Sequence, residues 1–411
     1  MVGVAPKQVN PPIRAFRVAE DRVYNHAFPI GTLSIEPAAV TVTTAAFILA
    51  LRQEHKLTVP THEQSDTERR QERAIAIREF ADRFLEGPNQ DLFQDMLVTL
   101  TRLARDQTDR GDIKLLHKAL AELRYALKVF APYTETRKVS IFGSSRTPED
   151  HPDYLTAVDF ARRMCESGWM IITGAGDGIM KAGHGGAGRE ASFGVAIRLP
   201  FEQKTNTIIA DDAKLVNFRY FFTRKLIFIK EASAVTLLPG GFGTHDEGFE
   251  ALTLIQTGKS PLVPIVMLEH PGGSYWSQWR DYAIDQLIGK GMINEQDLHL
   301  FHITDDVDTA VRELVQFYRV YHSMRYVGDD LVLRLQQPLA TTTLQRLNDE
   351  YNNILLQGTF EQGDALPAEN GEYPHLPRLT LRFDRKSFGL LRRCIDLINE
   401  EPPEPKADGP R

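Results

Sequence analysis

A length of 411 residues exceeds one ordinary domain and suits two or three. Hydrophobic residues make up 42% of the chain and charged residues 25%, proportions that are typical of a globular protein and exclude a largely disordered one. The formal net charge of −7 argues against nucleic acid as the main partner, because a non-specific duplex binder needs a basic surface.

The apolar runs and the cysteines argue against two further classes of protein. No stretch approaches the roughly 20 apolar residues that a helix needs to span a bilayer, so we expect no membrane partner. The first residues lack the apolar core of a signal peptide, and the sequence predicts a cytoplasmic protein. Cys165 and Cys394 stand far apart and form neither a disulfide framework nor a metal-ligand pattern. We accordingly expect no metal and no cofactor.

The first third of the chain has a helical pattern. Prolines and glycines interrupt residues 1 to about 65, which predict no clear element. From about Glu68 to Pro132, apolar positions recur every three or four residues between charged runs. We therefore expect a mainly helical N-terminal region over residues 1–132.

From Lys138 onwards, short apolar runs alternate with helical patterns. This alternation predicts parallel βαβ units with helices on both faces of the sheet, a doubly wound Rossmann-like α/β domain over residues 133–322. The predicted strands are 139–142, 169–173, 194–199, 234–238 and 262–267, and the predicted helices are 153–167, a segment from 179, 220–231 and a segment ending near 257.

The last part of the chain changes pattern again, and residues 323–400 predict a small α+β unit, a candidate for regulation or dimerisation. Its predicted strands are 331–335, 354–361 and 378–383, and its predicted helices are 341–351 and 388–398. The tail over residues 401–411, rich in proline and charge, is predicted to be disordered.

Three of the predicted parallel strands end in glycine-rich turns, which contain Gly143-Ser144-Ser145, Gly174 to Gly178 and Gly240 to Thr244. Ligands of such sheets bind beyond the carboxyl ends of the strands. Glycine lets main-chain N–H groups approach an anion closely, and a helix N-terminus adds unpaired donors. In the third turn Pro239 stops the strand, and Thr244 is expected to cap the next helix with its hydroxyl free to meet phosphate.

Other nucleotide motifs fit less well. The turn at Gly174 lacks the G-x-G-x-x-G spacing, so NAD is only weakly indicated. Gly258-Lys259-Ser260 resembles the end of a phosphate-binding P-loop, but Thr253 stands where that motif needs glycine, which argues against a P-loop ATPase. The sequence context of a pyridoxal phosphate enzyme is not recognisable either.

One stretch carries a resemblance to a known family. Residues 239–247, PGGFGTHDE, match the motif PGGxGTxxE, and Arg224-Lys225 match its usual companion pair. Together they resemble the LOG family of cytokinin-activating nucleoside 5′-monophosphate phosphoribohydrolases and related bacterial nucleotide nucleosidases, proteins often labelled lysine decarboxylases. The resemblance covers roughly Lys138 to Tyr321 and implies a homodimeric or larger hydrolase. Such an enzyme cleaves the N-glycosidic bond of a nucleoside monophosphate to free base and ribose 5-phosphate.

The resemblance also implies roles for matching residues. Arg224 and Glu247 are implied as the catalytic pair; cleaving a ribosyl C–N bond builds positive charge on the sugar, which a carboxylate in the first turn of its helix can stabilise. The implied nucleotide contacts are Lys225, Gly240, Gly241, Phe242, Gly243, Thr244, His245, Asp246 and Thr253. The base is expected near the first two glycine turns, with contacts to Gly143, Ser144, Ser145, Gly174 and Gly176, and further candidates after a strand end are Glu202, Gln203 and Asn206.

Alternatives remain at this stage. Glu247 can simply favour the helix dipole, and Arg224-Lys225 can be a solvated helix face. His184 and His245 are tempting as acid or base, although His245 falls at a variable motif position and is interpreted as a bystander. A non-catalytic carrier of a nucleotide or of the molybdenum cofactor would share the fold. A regulated nucleosidase whose terminal regions sense a signalling nucleotide is a further alternative.

Overall fold

The computed structural model describes residues 66–85, 87–199 and 205–400. The chain divides after Gln107 into two compact units. The predicted disorder of residues 401–411 and the candidates Glu202 and Gln203 lie outside the described residues.

Two helices make up the described part of the first unit. Helix α1 (Asp66–Phe84) and helix α2 (Gln90–Arg105) are joined through Gly87, whose φ of +114° suits glycine. The predicted helical character of the N-terminal region is confirmed for these residues.

The second unit begins with α3 (Arg110–Phe130), capped by the Asp109 carboxylate, which accepts from the main-chain N–H groups of the first turn. Its buried Glu122 accepts a hydrogen bond from Arg219 N at 2.9 Å and another from Thr223 Oγ1 at 2.8 Å. The helix thus packs on the α/β core, and the predicted domain boundary at residue 132 lies after it.

A seven-stranded parallel sheet forms the centre of the second unit, in the order β4-β3-β2-β1-β5-β6-β7. The predicted doubly wound, Rossmann-like fold is confirmed. The strands are β1 (Lys138–Phe142), β2 (Met170–Thr173), β3 (Ser192–Ile197), β4 (Leu215–Phe218), β5 (Ala234–Leu237), β6 (Ile265–Leu268) and β7 (His302–Thr304). The helices are α4 (Pro152–Glu166), α5 (Ile179–Ala187), α6 (Phe221–Lys230), α7 (Phe242–Gln256), α8 (Tyr275–Tyr282) and α9 (Val307–Gln316).

Strand order decides where a ligand can enter. From β1 the chain builds outward through β2, β3 and β4, then returns to the other side of β1 with β5. The loops that leave β1 and β5 therefore diverge, which opens a crevice at the carboxyl edge between them. Two of the three glycine turns follow these two strands.

The strand predictions were incomplete at the edges of the sheet. Strands β4 and β7 were not predicted, because the polar Asn217 interrupts the apolar run of β4 and β7 has only three residues. Strand β6 begins at Ile265 and not at Leu262 as predicted, because Pro264 has no N–H for the ladder.

The C-terminal part forms a four-stranded antiparallel sheet in the order β10-β11-β9-β8, as the small α+β prediction requires. Its elements are β8 (Tyr321–Val327), β9 (Asp330–Leu335), α10 (Thr341–Glu350), β10 (Leu355–Gly363), β11 (Arg378–Phe383) and α11 (Phe388–Ile398). Buried residues of this sheet, such as Leu381 and Phe383, share one hydrophobic cluster with Ile172 and Leu237 of the parallel sheet. No helix in the described ranges is long and apolar enough to cross a bilayer.

Candidate functional site

An open cavity of about 790 Å³ lies at the crevice between the ends of β1 and β5. Its walls combine the glycine turns with the start of α7 and one face of α6. The lining residues are Phe142, Gly143, Ser144, Ser145, Arg146, Gly174, Met180, Ile197, Leu199, Phe221, Arg224, Gly240, Gly241, Phe242, Gly243, Thr244, His245, Asp246 and Glu247. Most of the residues singled out in the sequence therefore meet at one place.

The turn after β5 presents main-chain donors to this cavity. Helix α7 begins at Phe242 with Gly241 as its N-cap and no side-chain cap, so its first N–H groups have no acceptor within the helix. Thr244 was predicted to be the cap, which is wrong: it is the third residue of the helix and is buried. A Cβ on Gly240 would lie 2.2 Å from Thr244 Oγ1 and 2.9 Å from Ser144 N, so only glycine fits there. Such a turn suits an anion.

Glu247 lies in the second turn of α7, and not in the first turn as predicted. Glu247 is only 6% exposed to solvent, and its Oε2 has no hydrogen-bond partner among the described residues. Burial raises the pKa of Glu247 to about 7, although the nearby cations Lys225 and Arg224 act to lower it. A carboxyl group with a pKa near neutrality can exchange a proton at physiological pH.

Arg224, in the first turn of α6, is positioned by contacts with Val195 and Phe228. Its Nε donates to the carbonyl of Val195 at 2.9 Å, and its guanidinium lies 5.0 Å from the centre of the Phe228 ring. Gly174 makes room for it, because a Cβ there would lie 2.5 Å from Nη2. Burial lowers the pKa of Arg224, while Glu247 raises it. Its terminal nitrogens have no acceptor among the described residues, so they are available to an anion.

Lys225 is engaged elsewhere. Its Nζ lies 2.7 Å from a carboxylate oxygen of Asp246, 2.7 Å from one of Glu250 and 3.8 Å from Glu247 Oε2. The side chain does not line the cavity. The structure therefore places Lys225 beside the acidic face of α7, where it can orient Glu247.

Four other candidates, Gly176, His184, Asn206 and Thr253, lie apart from the cavity lining. Asn206 is buried; its Nδ2 donates to Gly176 O at 3.0 Å and lies 3.1 Å from His184 Nδ1. His184 is also buried, and its Nε2 lies 3.0 Å from Thr173 Oγ1. Asn206 and His184 therefore stabilise the second glycine turn from within the domain and do not face the cavity. Thr253 is exposed on α7, six residues beyond Glu247.

Several lining residues were not predicted from the sequence. Phe142, Met180, Ile197 and Phe221 contribute apolar walls, and their patterns indicate only core or surface positions. Leu199, which also lines the cavity, begins the segment that was expected to line the site. Tyr275 contacts the glycine turn from α8: its hydroxyl donates to Gly240 O at 2.6 Å and lies 2.7 Å from His245 Nε2. No local motif marks a contact that spans 35 positions. No group of three or more metal-ligating side chains comes together within the described residues.

Comparison with protein families gives a match over residues 176–314 to a family described as "Possible lysine decarboxylase". Residues 176–314 are therefore similar to that family, and the match covers this part of the chain alone. The matched segment contains Arg224, Glu247 and the whole glycine turn between them. The matched family is the one that the sequence motif resembles. The likeness of this segment to the lysine decarboxylase-like (LOG) family supports a nucleotide-related function.

Several solved structures are similar to part of this chain at low sequence identity. The protein TM1055 is 23% identical, with 44% of this chain and 99% of that one covered and a TM-score of 0.33. A molybdenum cofactor carrier protein from Chlamydomonas reinhardtii is 21% identical, with 44% and 97% covered and a TM-score of 0.31. DNA processing protein A from Helicobacter pylori is 16% identical, with 45% and 83% covered and a TM-score of 0.31. A comparison with curated proteins gave no match.

Proposed function

We propose that the protein hydrolyses the N-glycosidic bond of nucleoside 5′-monophosphates, releasing the free base and ribose 5-phosphate. The observation that carries the proposal is Glu247, a buried carboxyl group with an unpartnered oxygen beside a turn of free main-chain amides. Anion-binding amides alone would suit any phosphate ligand. A carboxyl group with a pKa near 7 next to them adds a group that can act on the sugar.

The phosphate is bound by the turn from Gly240 to Gly243 and by the guanidinium of Arg224. The helix N-terminus contributes unpaired N–H groups, and Arg224 contributes a planar cation whose terminal nitrogens are available. The ribose then lies between this anchor and Glu247. The apolar wall of Phe142, Met180 and Phe221 offers surface for the flat base.

The chemical step breaks the bond between C1′ and the base nitrogen, and the electron pair leaves with the base. Positive charge develops on the sugar ring, and the ionised carboxylate of Glu247 stabilises it. A water oxygen bonds to C1′ and transfers one proton to Glu247, while the departing base takes up a proton from the solvent. Glu247 then returns its proton to the solvent, which restores the carboxylate. Because ionised Glu247 is required, we expect the rate to rise with pH through about 7.

The test is a base-release screen with AMP, GMP, CMP and UMP, followed by chromatography for free base and by an assay for ribose 5-phosphate. The proposal expects equal amounts of the two products from at least one substrate. Tight nucleotide binding without release of base from any of the four would contradict hydrolysis and support a carrier. Because related enzymes imply an oligomer, we also propose homo-oligomerisation, and sedimentation of an active preparation as monomer alone would contradict it.

A further inference from the structure

The hydroxyl of Tyr275 makes two hydrogen bonds behind the glycine turn. It donates to the carbonyl oxygen of Gly240 at 2.6 Å and lies 2.7 Å from Nε2 of His245. A phenol hydroxyl can donate only one hydrogen bond, and Tyr275 donates it to the carbonyl oxygen of Gly240. In its contact with His245 the phenol oxygen must therefore be the acceptor, which requires a proton on Nε2 of His245. Tyr275 therefore holds both the start of the turn and the first turn of α7.

Tyr275 is itself rigidly supported. It is the first residue of α8, and its main-chain N–H donates to Glu269 Oε2 at 2.7 Å. The next residue, Trp276, donates its N–H to Glu269 Oε1 at 3.2 Å and its indole N–H to Leu268 O at 3.2 Å. Glu269 and Trp276 are buried, so the phenol is fixed to the end of β6.

The contact controls the direction of an amide. The carbonyl of Gly240 and the N–H of Gly241 belong to one planar trans peptide and point in opposite directions. Two successive glycines have few steric limits on rotation, and a Cβ at Gly241 would meet nothing within 4 Å. The bond to Tyr275 fixes the direction of the Gly240 carbonyl and therefore directs the Gly241 N–H to the side opposite Tyr275. Gly240 and Gly241 line the cavity, whereas Tyr275 does not.

Protonation states fit this arrangement. Burial raises the pKa of Tyr275, although the bond to Gly240 acts to lower it, so the hydroxyl keeps its proton at neutral pH. Burial lowers the pKa of His245, so its ring is neutral at neutral pH and bears one proton.

We propose that Tyr275 is a positioning residue that holds the Gly240-Gly241 peptide with its N–H directed at the 5′-phosphate of the substrate. The inference rests on the proposed function, in which this turn binds the phosphate. A preorganised donor need not be ordered when the ligand binds, so its loss weakens binding of substrate and transition state alike.

The experiment compares Tyr275→Phe with Tyr282→Phe, a control at the other end of α8 whose ring is exposed. Losing one hydrogen bond should raise KM about fivefold in Tyr275→Phe and change kcat less than about twofold. Calorimetry with ribose 5-phosphate should show a similar loss of affinity. Tyr282→Phe should match the wild type in both assays. The inference would be overturned if Tyr275→Phe had the same KM and the same affinity for ribose 5-phosphate as the wild type.

The same calorimetry separates this inference from the proposed function. A wild type that releases no base defeats hydrolysis, yet weaker ribose 5-phosphate binding in Tyr275→Phe still supports positioning. A wild type that does not bind ribose 5-phosphate defeats the inference as well. If Tyr275→Phe fails to fold, Glu269→Gln is the second variant, because it removes one of the two carboxylate oxygens that accept from the start of α8. We expect Glu269→Gln to raise KM less than about fivefold, and a KM equal to that of the wild type would contradict the positioning role.

Discussion

Two glutamates of this protein are each buried beside two cationic side chains, yet their proton affinities shift in opposite directions. Glu247 in the α/β domain lies near Lys225 and Arg224, and burial raises its pKa to about 7. Glu369, in the connection between β10 and β11 of the C-terminal part, lies between Arg334 and Arg378. Burial acts to raise the pKa of Glu369 too, but hydrogen bonds from both arginines bring it to about 2.

Direct hydrogen bonds account for the difference. Glu369 accepts from Arg378 Nε at 2.7 Å, from Arg334 Nε at 2.9 Å and from Leu366 N at 3.2 Å. Oxygen Oε2 of Glu247 accepts none from the described residues, and its nearest cationic atom, Lys225 Nζ, lies 3.8 Å away. Nearby charge without donors does not offset desolvation. The satisfied carboxylate stabilises the fold, and the unsatisfied one is available for chemistry.

The largest expected effect is on activity at Glu247. Glu247→Gln keeps the shape but cannot take a proton, so kcat for base release should fall about 10³-fold while nucleotide binding survives. Glu250→Gln, one turn further along α7 and paired with the same lysine, is the matched control and should retain most activity. Chromatography of released base measures both, and wild-type-like turnover in Glu247→Gln would remove this residue from the reaction.

The second effect is on stability at Glu369. Glu369→Gln leaves the buried Arg378 without its anion and leaves Arg334 with only the exposed Glu372 as an ion-pair partner, which should lower the free energy of unfolding by about 3–5 kcal/mol. Glu372→Gln, an exposed partner of Arg334, is the control and should cost far less. Urea denaturation gives these values. Activity per folded molecule should stay near that of the wild type, and a stable Glu369→Gln protein would contradict the structural role.

The third effect is a pH dependence of opposite sign at the two sites. The folded-state pKa of Glu369 is depressed, so its stabilisation is present above pH 4.5 and is lost as pH falls toward 2. The pKa of Glu247 is raised, so its ionisation weakens folding as pH rises from 4.5 to about 7. Glu247→Gln should therefore be relatively more stable at pH 8 than at pH 4.5, by about 3 kcal/mol. An equal difference at both pH values would show that burial does not raise the pKa of Glu247.

The smallest effect concerns Lys225. Lys225→Met removes a cation that lowers the pKa of Glu247, so less carboxylate is ionised at neutral pH. We expect activity to fall about fivefold at pH 6.5 and to approach the wild type near pH 9. Lys259→Met, at an exposed position, is the control. The pH profile of kcat measures the change, and a uniform loss at every pH would instead indicate a direct contact with the substrate.

Much of the fold was predictable because its signals are local. Buried parallel strands appear as short apolar runs, such as Val139 to Phe142, and the glycines that follow mark the turns. The edge strands β4 and β7 were missed because their few residues have no distinctive pattern.

The candidate site divides in the same way. The motif from Pro239 to Glu247 is contiguous, and all of it except Pro239 lines the cavity. Asn206 was a candidate ligand by its position after a strand, yet the fold turns its amide onto Gly176 and His184. Tyr275 escaped notice because its partner is distant along the chain.

The sequence by itself determined the class of fold, the three glycine turns and the acidic residue placed after one of them, because spacing and backbone preference are local properties. Only the tertiary structure decided which charges have partners. It removed water from Glu247, supplied three donors to Glu369 and brought Tyr275 against Gly240. Desolvation and hydrogen bonding depend on groups that are distant in sequence, and those distances exist only once the chain has folded.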